Sequence, residues 1–436
     1  MPRRASNKPT RFSVIWSPMR VAVIGGGVVG VCTAYFLAET GHEVTVLERY
    51  GNVAQESSFG NLDLMGPASV RPWSMPGTVR RVLGMLMRPE SPMAFSAKFE
   101  PAMWGWLRRL SAECEIQRFK QNQLRLHRLA SYSHELMQHL AQVHELDFQQ
   151  RTGVMMMFRT ARDLDQAHPM METLGDAGVR TELLDPDGAV QLEPTLSTQT
   201  PFQGALFMPD DWSGNCPLFV RQLKGIAQER GVEFQFNCEV DAIQPELGGV
   251  SYRVGDKTFD VDAIVIAAGA ESGRLLRGIG ISLPMYPVKV YSASTQIQEY
   301  DLAPNVSVYD DTYRVALTRL GKRIRIAGCA ELGSNNFDLH QKAIDTLVKV
   351  ADDWFPNAAN YRTATFWCGP TATLPEGVPL VGSTTHNNVF VNAGHGAGAW
   401  ALAAGSGKLV ADIVSGRRTE IDTDGLTLTR YGDRVR

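Results

Sequence analysis

Long apolar runs are missing from this chain of 436 residues. The nearest approach to one, Ala397 to Val414, is rich in glycine and carries Lys408 and Asp412, so a membrane-spanning helix is excluded. Cysteine is scarce as well: Cys32, Cys114, Cys216, Cys238, Cys329 and Cys368 form no C-x-x-C pair and no metal-type spacing. Reduced thiols in a cytoplasmic setting are therefore the expectation. No excess of one charge exists, since the formal net charge is -3, and this leaves no electrostatic footprint for nucleic acid. His127, His134, His139 and His144 crowd one helical stretch but share no face at ligand spacing, so no metal is expected. Repeats and low-complexity tracts are absent. At the amino end, Phe12 to Trp16 is too short for a signal-peptide core and no small-residue cleavage site follows. A disordered tail over residues 1–18 is expected instead.

The segment Arg20 to Arg49 organises the rest. Val21-Ala22-Val23-Ile24 is a short apolar run suited to a parallel strand buried on both faces. It leads into Gly25-Gly26-Gly27-Val28-Val29-Gly30, a G-x-G-x-x-G. There Gly25 permits the turn, Gly27 admits a pyrophosphate to the backbone, and Gly30 lets the following helix pack on the strand. That helix, Val28 to about Glu39, points its N–H groups at the phosphates and stops at Gly41. A second strand, Glu43 to Leu47, ends at Glu48, where a carboxylate takes ribose hydroxyls and disfavours a 2′-phosphate. A dinucleotide site is the reading.

Asp262 to Ala270 and Asn388 to Gly396 are two further apolar strands ending in small residues, and the second runs into a small-residue helix, Ala397 to Val414. Together with the first βαβ unit they resemble the glutathione-reductase-like flavoprotein fold, which implies FAD rather than NAD. The polar stretch Tyr50 to Asn61 offers Ser57 and Ser58 to phosphate or ribitol. Leu62 to Pro76 is a Pro/Gly/Ser-rich loop, and Thr78 to Arg88 is a basic amphipathic segment. Helices are expected at Ser96–Phe119, Leu124–Leu146, Asp163–Ala177, Pro217–Glu229 and Lys342–Trp354. Gly153 to Phe158 reads as a strand, Leu206 to Gly214 as a turn, and Tyr252–Val254 with Thr258–Val261 as a hairpin. Alternation over Val288–Gln296, Val306–Leu317 and Arg323–Gly328 predicts an antiparallel sheet. The fold class is thus α/β: a Rossmann-like FAD-binding domain (19–65, 205–280 and 366–430) interleaved with an α+β substrate domain (66–204 and 281–365) containing that sheet.

The strings VVGVCTAYFLAETGHEVTVLER, FQGALFMPDDWSGNCPLF, DDTYRVALTRLGKRIRIAGCAE and NAGHGAGAW resemble the D-amino acid oxidase superfamily, and within it the bacterial D-amino acid dehydrogenases. The resemblance implies oxidation of the C–N bond of an amine or amino acid to an imine by hydride transfer to flavin N5. It also implies a respiratory electron acceptor, a quinone or partner protein, and a peripheral place on the inner face of the membrane, for which Thr78 to Arg88 is a candidate docking surface. Carried over position by position, Gly25, Gly26, Gly27, Val28, Val29, Gly30, Glu48, Arg49, Ser57 and Ser58 fall on pyrophosphate and ribose contacts. Val240, Ala268 and Gly269 fall on the adenine side. Gly394, His395, Gly396 and Ala397 fall on the turn at the flavin ring, with Asn61 beside it. FAD is expected to be non-covalent, with Cys368 a buried thiol rather than an attachment point.

The substrate side departs from the family twice. Thr371 stands where the family keeps an arginine that clamps the substrate carboxylate, and Asp63 brings an acid close to the expected pocket. Three readings follow. Arg71, Arg314 or Arg319 replaces the lost arginine, with Tyr313 beside Arg314. Alternatively the substrate is an amine without a carboxylate and pairs its ammonium with Asp63. Or the chain is a non-catalytic FAD-binding subunit of a hetero-oligomeric dehydrogenase. A glycine-type oxidase using O2 is the alternative within the enzyme class.

Overall fold

A computed structural model describes residues 18–79, 93–95, 100–333 and 336–435. The expected tail lies outside these residues apart from position 18. So do residues 80–88 of the basic segment and the first four residues of the helix expected from Ser96.

The nucleotide-type unit forms as its residues dictate. Strand β1 (Arg20–Ile24) turns into helix α1 (Val28–Glu39), which returns through strand β2 (Glu43–Leu47). β1 pairs in parallel with both β2 and Ala263–Ile266. The full sheet runs Leu380–Ser383, Val389–Ala393, Ala263–Ile266, β1, β2, Glu233–Gln235. Helix Ala399–Val414 packs on α1, with Gly407 so close that a Cβ there would lie 2.9 Å from the backbone of Cys32 and Thr33. Small residues in this helix thus serve contact with a neighbour rather than with lipid. No helix among the described residues is long and apolar enough to cross a membrane.

A second sheet of ten strands is mixed rather than purely antiparallel. Its main path joins Thr365–Thr373, Tyr286–Gln296, Arg323–Leu332, Val315–Leu320, Ser307–Asp310, Arg151–Phe158, Gly204–Ser213 and Leu64–Met65. Ser307–Asp310 runs parallel to Arg151–Phe158. Helix Gln341–Trp354 covers one face, burying Leu347, Val350 and Trp354.

Two expectations need correction. Leu206 to Gly214 is no turn but most of a ten-residue strand, Gly204–Ser213. Its Pro209 is tolerated because pairing with Arg151–Phe158 shifts register there, Thr152 facing Trp212 and Val154 facing Met208. The missing N–H of proline falls inside that bulge. The single strand expected over Val306–Leu317 is broken into two by a turn at Asp311 to Arg314, with Arg314 at φ 56°. Strands Gly204–Ser213 and Thr365–Thr373 hydrogen-bond into the ten-stranded sheet, although the sequence reading grouped most of each with the nucleotide segments.

Candidate active site

A cleft of about 930 Å³ opens along the carboxyl ends of the parallel strands. Gly25, Gly27, Val28, Val29, Glu48, Arg49, Ser57, Ser58, Val240, Ala268, Gly269, Thr371, Gly394, His395 and Gly396 all line it. The glycines are there for space. A Cβ on Gly25, whose φ is 110°, would sit 2.4 Å from the Ala267 carbonyl oxygen, and one on Gly30 would sit 1.9 Å from that of Gly25. Gly30 and Gly26 do not line the cleft. Gly30 is a packing contact between helix and turn, and Gly26 donates its N–H to Glu48 Oε2 at 2.6 Å. Glu48 also accepts from the Tyr50 N–H at 2.9 Å. Burial pushes its carboxyl pKa up, and these two N–H groups oppose that shift. Arg49 is paired with Glu56.

Helix α1 begins at Gly27, which offers no capping side chain. Ser58, 30 positions along the chain, supplies the cap, its hydroxyl accepting from the Val28 N–H at 3.0 Å. At the other end, Gly394 (φ 84°) and Gly396 (φ 58°) turn the chain from strand Val389–Ala393 into a single tight turn, Gly396–Gly398, and then into helix Ala399–Val414. Ala397 lies within this tight turn, off the cleft lining. Gly398 has no side-chain cap either. His395 is buried, its Nε2 is 3.0 Å from Ser406 Oγ, and desolvation pushes its pKa down to about 3. It therefore remains neutral at working pH.

Sequence reasoning overlooked Asn392, whose side chain is held by Thr33 at 3.0 Å while its buried Oδ1 has no partner. An asparagine inside the otherwise apolar strand Val389–Ala393 was the available signal. It also overlooked Arg274, which donates to the Val240 and Asp241 carbonyls at the cleft rim. Arg274 lies on the short helix Ser272–Gly278 just after Gly269, but its partners are 33 and 34 positions earlier and leave no local signal.

On the substrate side the expected residues do not converge. Asn61 is internal to its loop, donating to the Ser58 carbonyl and accepting from the Asp63 N–H, both at 2.7 Å. Asp63 does not face the cleft. Its φ of 56° turns it inward, its exposure is 0%, and neither oxygen accepts a hydrogen bond. Its nearest cation is Arg325, 3.7 Å away, and burial raises its pKa to about 7. An ammonium substrate has no route to it in this arrangement. Tyr313 packs under the Arg159 guanidinium with the core on the face covered by Gln341–Trp354. Arg314 occupies the strained turn above, and Arg319 lies over Tyr300, so neither lines the cleft. Arg71 differs. It is buried, paired with Asp311, and stacked at 5.1 Å on Tyr309. Its other terminal nitrogen meets the sulfurs of Met156 (3.6 Å) and Met170 (4.0 Å). The residue before it, Val70, touches the position of Gly398 at the head of the last helix. Cys368 points its Sγ at the Phe337 carbonyl (3.2 Å), away from the cleft.

A sequence model of the FAD-dependent oxidoreductase family matches residues 20–413. The chain belongs to that family. Along nearly its whole length this oxidoreductase is similar to the D-amino acid dehydrogenase 1 of Mesorhizobium japonicum, 39% identical over 95% of this chain and 100% of that one. It is likewise similar to the D-amino acid dehydrogenase of Xanthobacter autotrophicus, 37% identical over 95% and 100%. Its fold is shared with glycine oxidase from Geobacillus kaustophilus (TM-score 0.73, 22% identity, 94% and 99% of the two chains). L-proline dehydrogenase from P. horikoshii shares it too (TM-score 0.71, 18% identity, 95% and 98%). The oxidoreductase's own cleft fits FAD. It has tight glycine turns at Gly25 and Gly394 that leave no room for a Cβ, a helix start at Gly398 without a side-chain cap, and an orphaned buried acceptor at Asn392.

Proposed function

We propose that this protein is an FAD-dependent dehydrogenase that oxidises the C–N bond of a D-amino acid or related amine to an imine, passing its electrons to a quinone or partner protein rather than to O2. The observation that carries this reading is the end of the cleft. There an uncapped helix start, a neutral buried histidine and a nearby buried arginine replace the acid–base pair that a hydrolase would need.

Bound FAD supplies the hydride-accepting chemistry. The chain's residues do the rest. Gly25, Gly27, Val28, Val29, Ser57 and Ser58 hold the pyrophosphate against the start of α1. Glu48 and Arg49 take the ribose, and Val240, Ala268 and Gly269 flank the adenine. The N–H groups of Gly394 to Ala397, with the dipole of the helix behind them, place positive potential where negative charge develops. His395 contributes orientation through Ser406 and carries no charge at neutral pH. Of the three candidate arginines, Arg71 is assigned to the substrate carboxylate, in place of the position now held by Thr371. Only one of its terminal nitrogens is committed to Asp311. The domain division is proposed with strands Gly204–Ser213 and Thr365–Thr373 moved to the substrate domain. A peripheral position on the inner membrane face is proposed on the arginines of the segment Thr78 to Arg88.

The test is anaerobic bleaching of the flavin by D-amino acids, cyclic imino acids and carboxylate-free amines. Bleaching by D-amino acids is expected, whereas no bleaching by any of them would favour the non-catalytic subunit. Arg71→Lys keeps the charge for Asp311 but loses the fork. It is expected to raise KM for amino acids about ten-fold or more with kcat little changed, and to leave any carboxylate-free amine unaffected.

A further inference from the structure

A second recess, of about 1330 Å³, opens beside the cleft on the ten-stranded sheet. Its chemistry is one-sided. Arg221, Arg323 and Arg325 line it, and none of its lining residues is Asp or Glu, in a protein whose net charge is -3. Arg221 and Arg323 are exposed and make no ion pair among the described residues, whereas the buried Arg325 turns its Nε toward Asp63, 3.7 Å away. Aromatic faces complete the walls: Phe59, Phe366 and Trp367. Phe59 is 41% exposed, with the Arg325 guanidinium over its ring at 5.1 Å. The Trp367 indole is given room by two glycines, since a Cβ on Gly60 would lie 2.0 Å from it and one on Gly369 2.5 Å.

The recess shares its walls with the FAD cleft. Ser58 lines the cleft and its neighbour Phe59 lines the recess, with the Phe59 carbonyl held by Arg325 Nη1 at 2.6 Å. On the other side, strand Thr365–Thr373 lines the recess at Trp367 and the cleft at Thr371. Four residues of extended chain separate those two positions, about 13 Å.

An oxidoreductase that takes two electrons from its substrate must pass them on. From these walls we infer that the recess docks a planar, quinone-type aromatic acceptor that is anionic or becomes so on reduction. This inference deepens the dehydrogenase reading above. The acceptor's ring stacks on Trp367, beside a Phe59 ring that already carries the Arg325 guanidinium at 5.1 Å, and the exposed Arg221 and Arg323 guanidinium groups hold its oxygens as charge arrives on them. It takes two electrons and two protons and leaves as its dihydro form, so it need never enter the substrate side.

The experiment uses holoenzyme and 2,6-dichlorophenolindophenol, a planar anionic quinone-imine, with the cationic phenazine methosulfate as contrast. Equilibrium dialysis of the indophenol against oxidised enzyme, without amine, is compared between wild type and the exposed double variant Arg221→Glu/Arg323→Glu. Binding about ten-fold weaker or more in the variant is expected, with a matching rise in KM for the indophenol and a salt-sensitive wild-type affinity. Phenazine methosulfate turnover and anaerobic reduction by amine should be unchanged. Equal indophenol affinity in the two proteins would overturn the assignment, as would equal losses with both dyes. The dialysis reads the recess even if no amine bleaches the flavin, so failure of the dehydrogenase reading would be seen separately.

Discussion

At the scale of single residues, the chain shows two kinds of buried strain. The first is steric. Gly30 leaves no room for a methyl group, since its Cβ would stand 1.9 Å from the Gly25 carbonyl oxygen. Gly30→Ala is therefore expected to fold without retaining FAD, a result read from the flavin absorbance of the purified variant. The second is electrostatic and centres on Asp63. Its folded pKa, about 7, lies above the ordinary 3.8 because desolvation outweighs Arg325. Between those values the folded state holds a proton that the unfolded state has lost, so stability declines as pH rises through that window. Asp63→Asn removes the titration. Urea unfolding between pH 5 and 8 should fall less steeply with pH in the variant than in wild type, and parallel curves would contradict this account.

At the scale of elements, distant residues finish what local sequence leaves incomplete. Helix α1 receives its cap from Ser58, 30 positions away. Ser58→Ala should cost about 1 kcal/mol in denaturant unfolding and weaken FAD retention. A buried network ties strands Tyr286–Gln296 and Arg323–Leu332 together. Glu331, with 0% exposure, accepts the Tyr291 hydroxyl and faces Lys289 Nζ at 3.2 Å and His340 Nδ1 at 3.1 Å. Glu331→Gln removes the carboxylate that pairs with the buried Lys289 ammonium and leaves it only its hydrogen bonds to Asn336 Oδ1 (3.0 Å) and the Asp338 carbonyl (2.6 Å). A loss of about 3–5 kcal/mol is expected, measured from the shift in urea midpoint. The same scale explains the misread strand at Gly204–Ser213. Pro209, Asp210 and Asp211 read locally as turn residues. The bulge opposite Gly153 absorbs the proline, and Asp211 turns inward to accept the N–H groups of Ala68 (3.1 Å) and Ser69 (2.6 Å).

At the scale of the whole molecule, two sheets meet along the Ser57–Asp63 loop and the strand Thr365–Thr373, and the cleft and recess lie on either side of that seam. The sequence by itself determined the nucleotide unit. Its strands are buried over most of their length, Gly25 and Gly30 are sterically compulsory, and its acid stands at a fixed distance from them, so chemistry and spacing within 30 residues suffice. It also located the turn at Gly394–Gly396, where glycine φ and the small-residue helix are local properties. Only the tertiary structure decided the fate of Asp63, Tyr313 and Arg71. Each belongs to a loop or turn whose side-chain direction depends on partners 154 to 262 positions away: Arg325 for Asp63, Arg159 for Tyr313, Asp311 for Arg71. A carboxylate in a string of letters is a candidate ligand for any cation; which cation it meets depends on long-range packing, and no local periodicity encodes that choice.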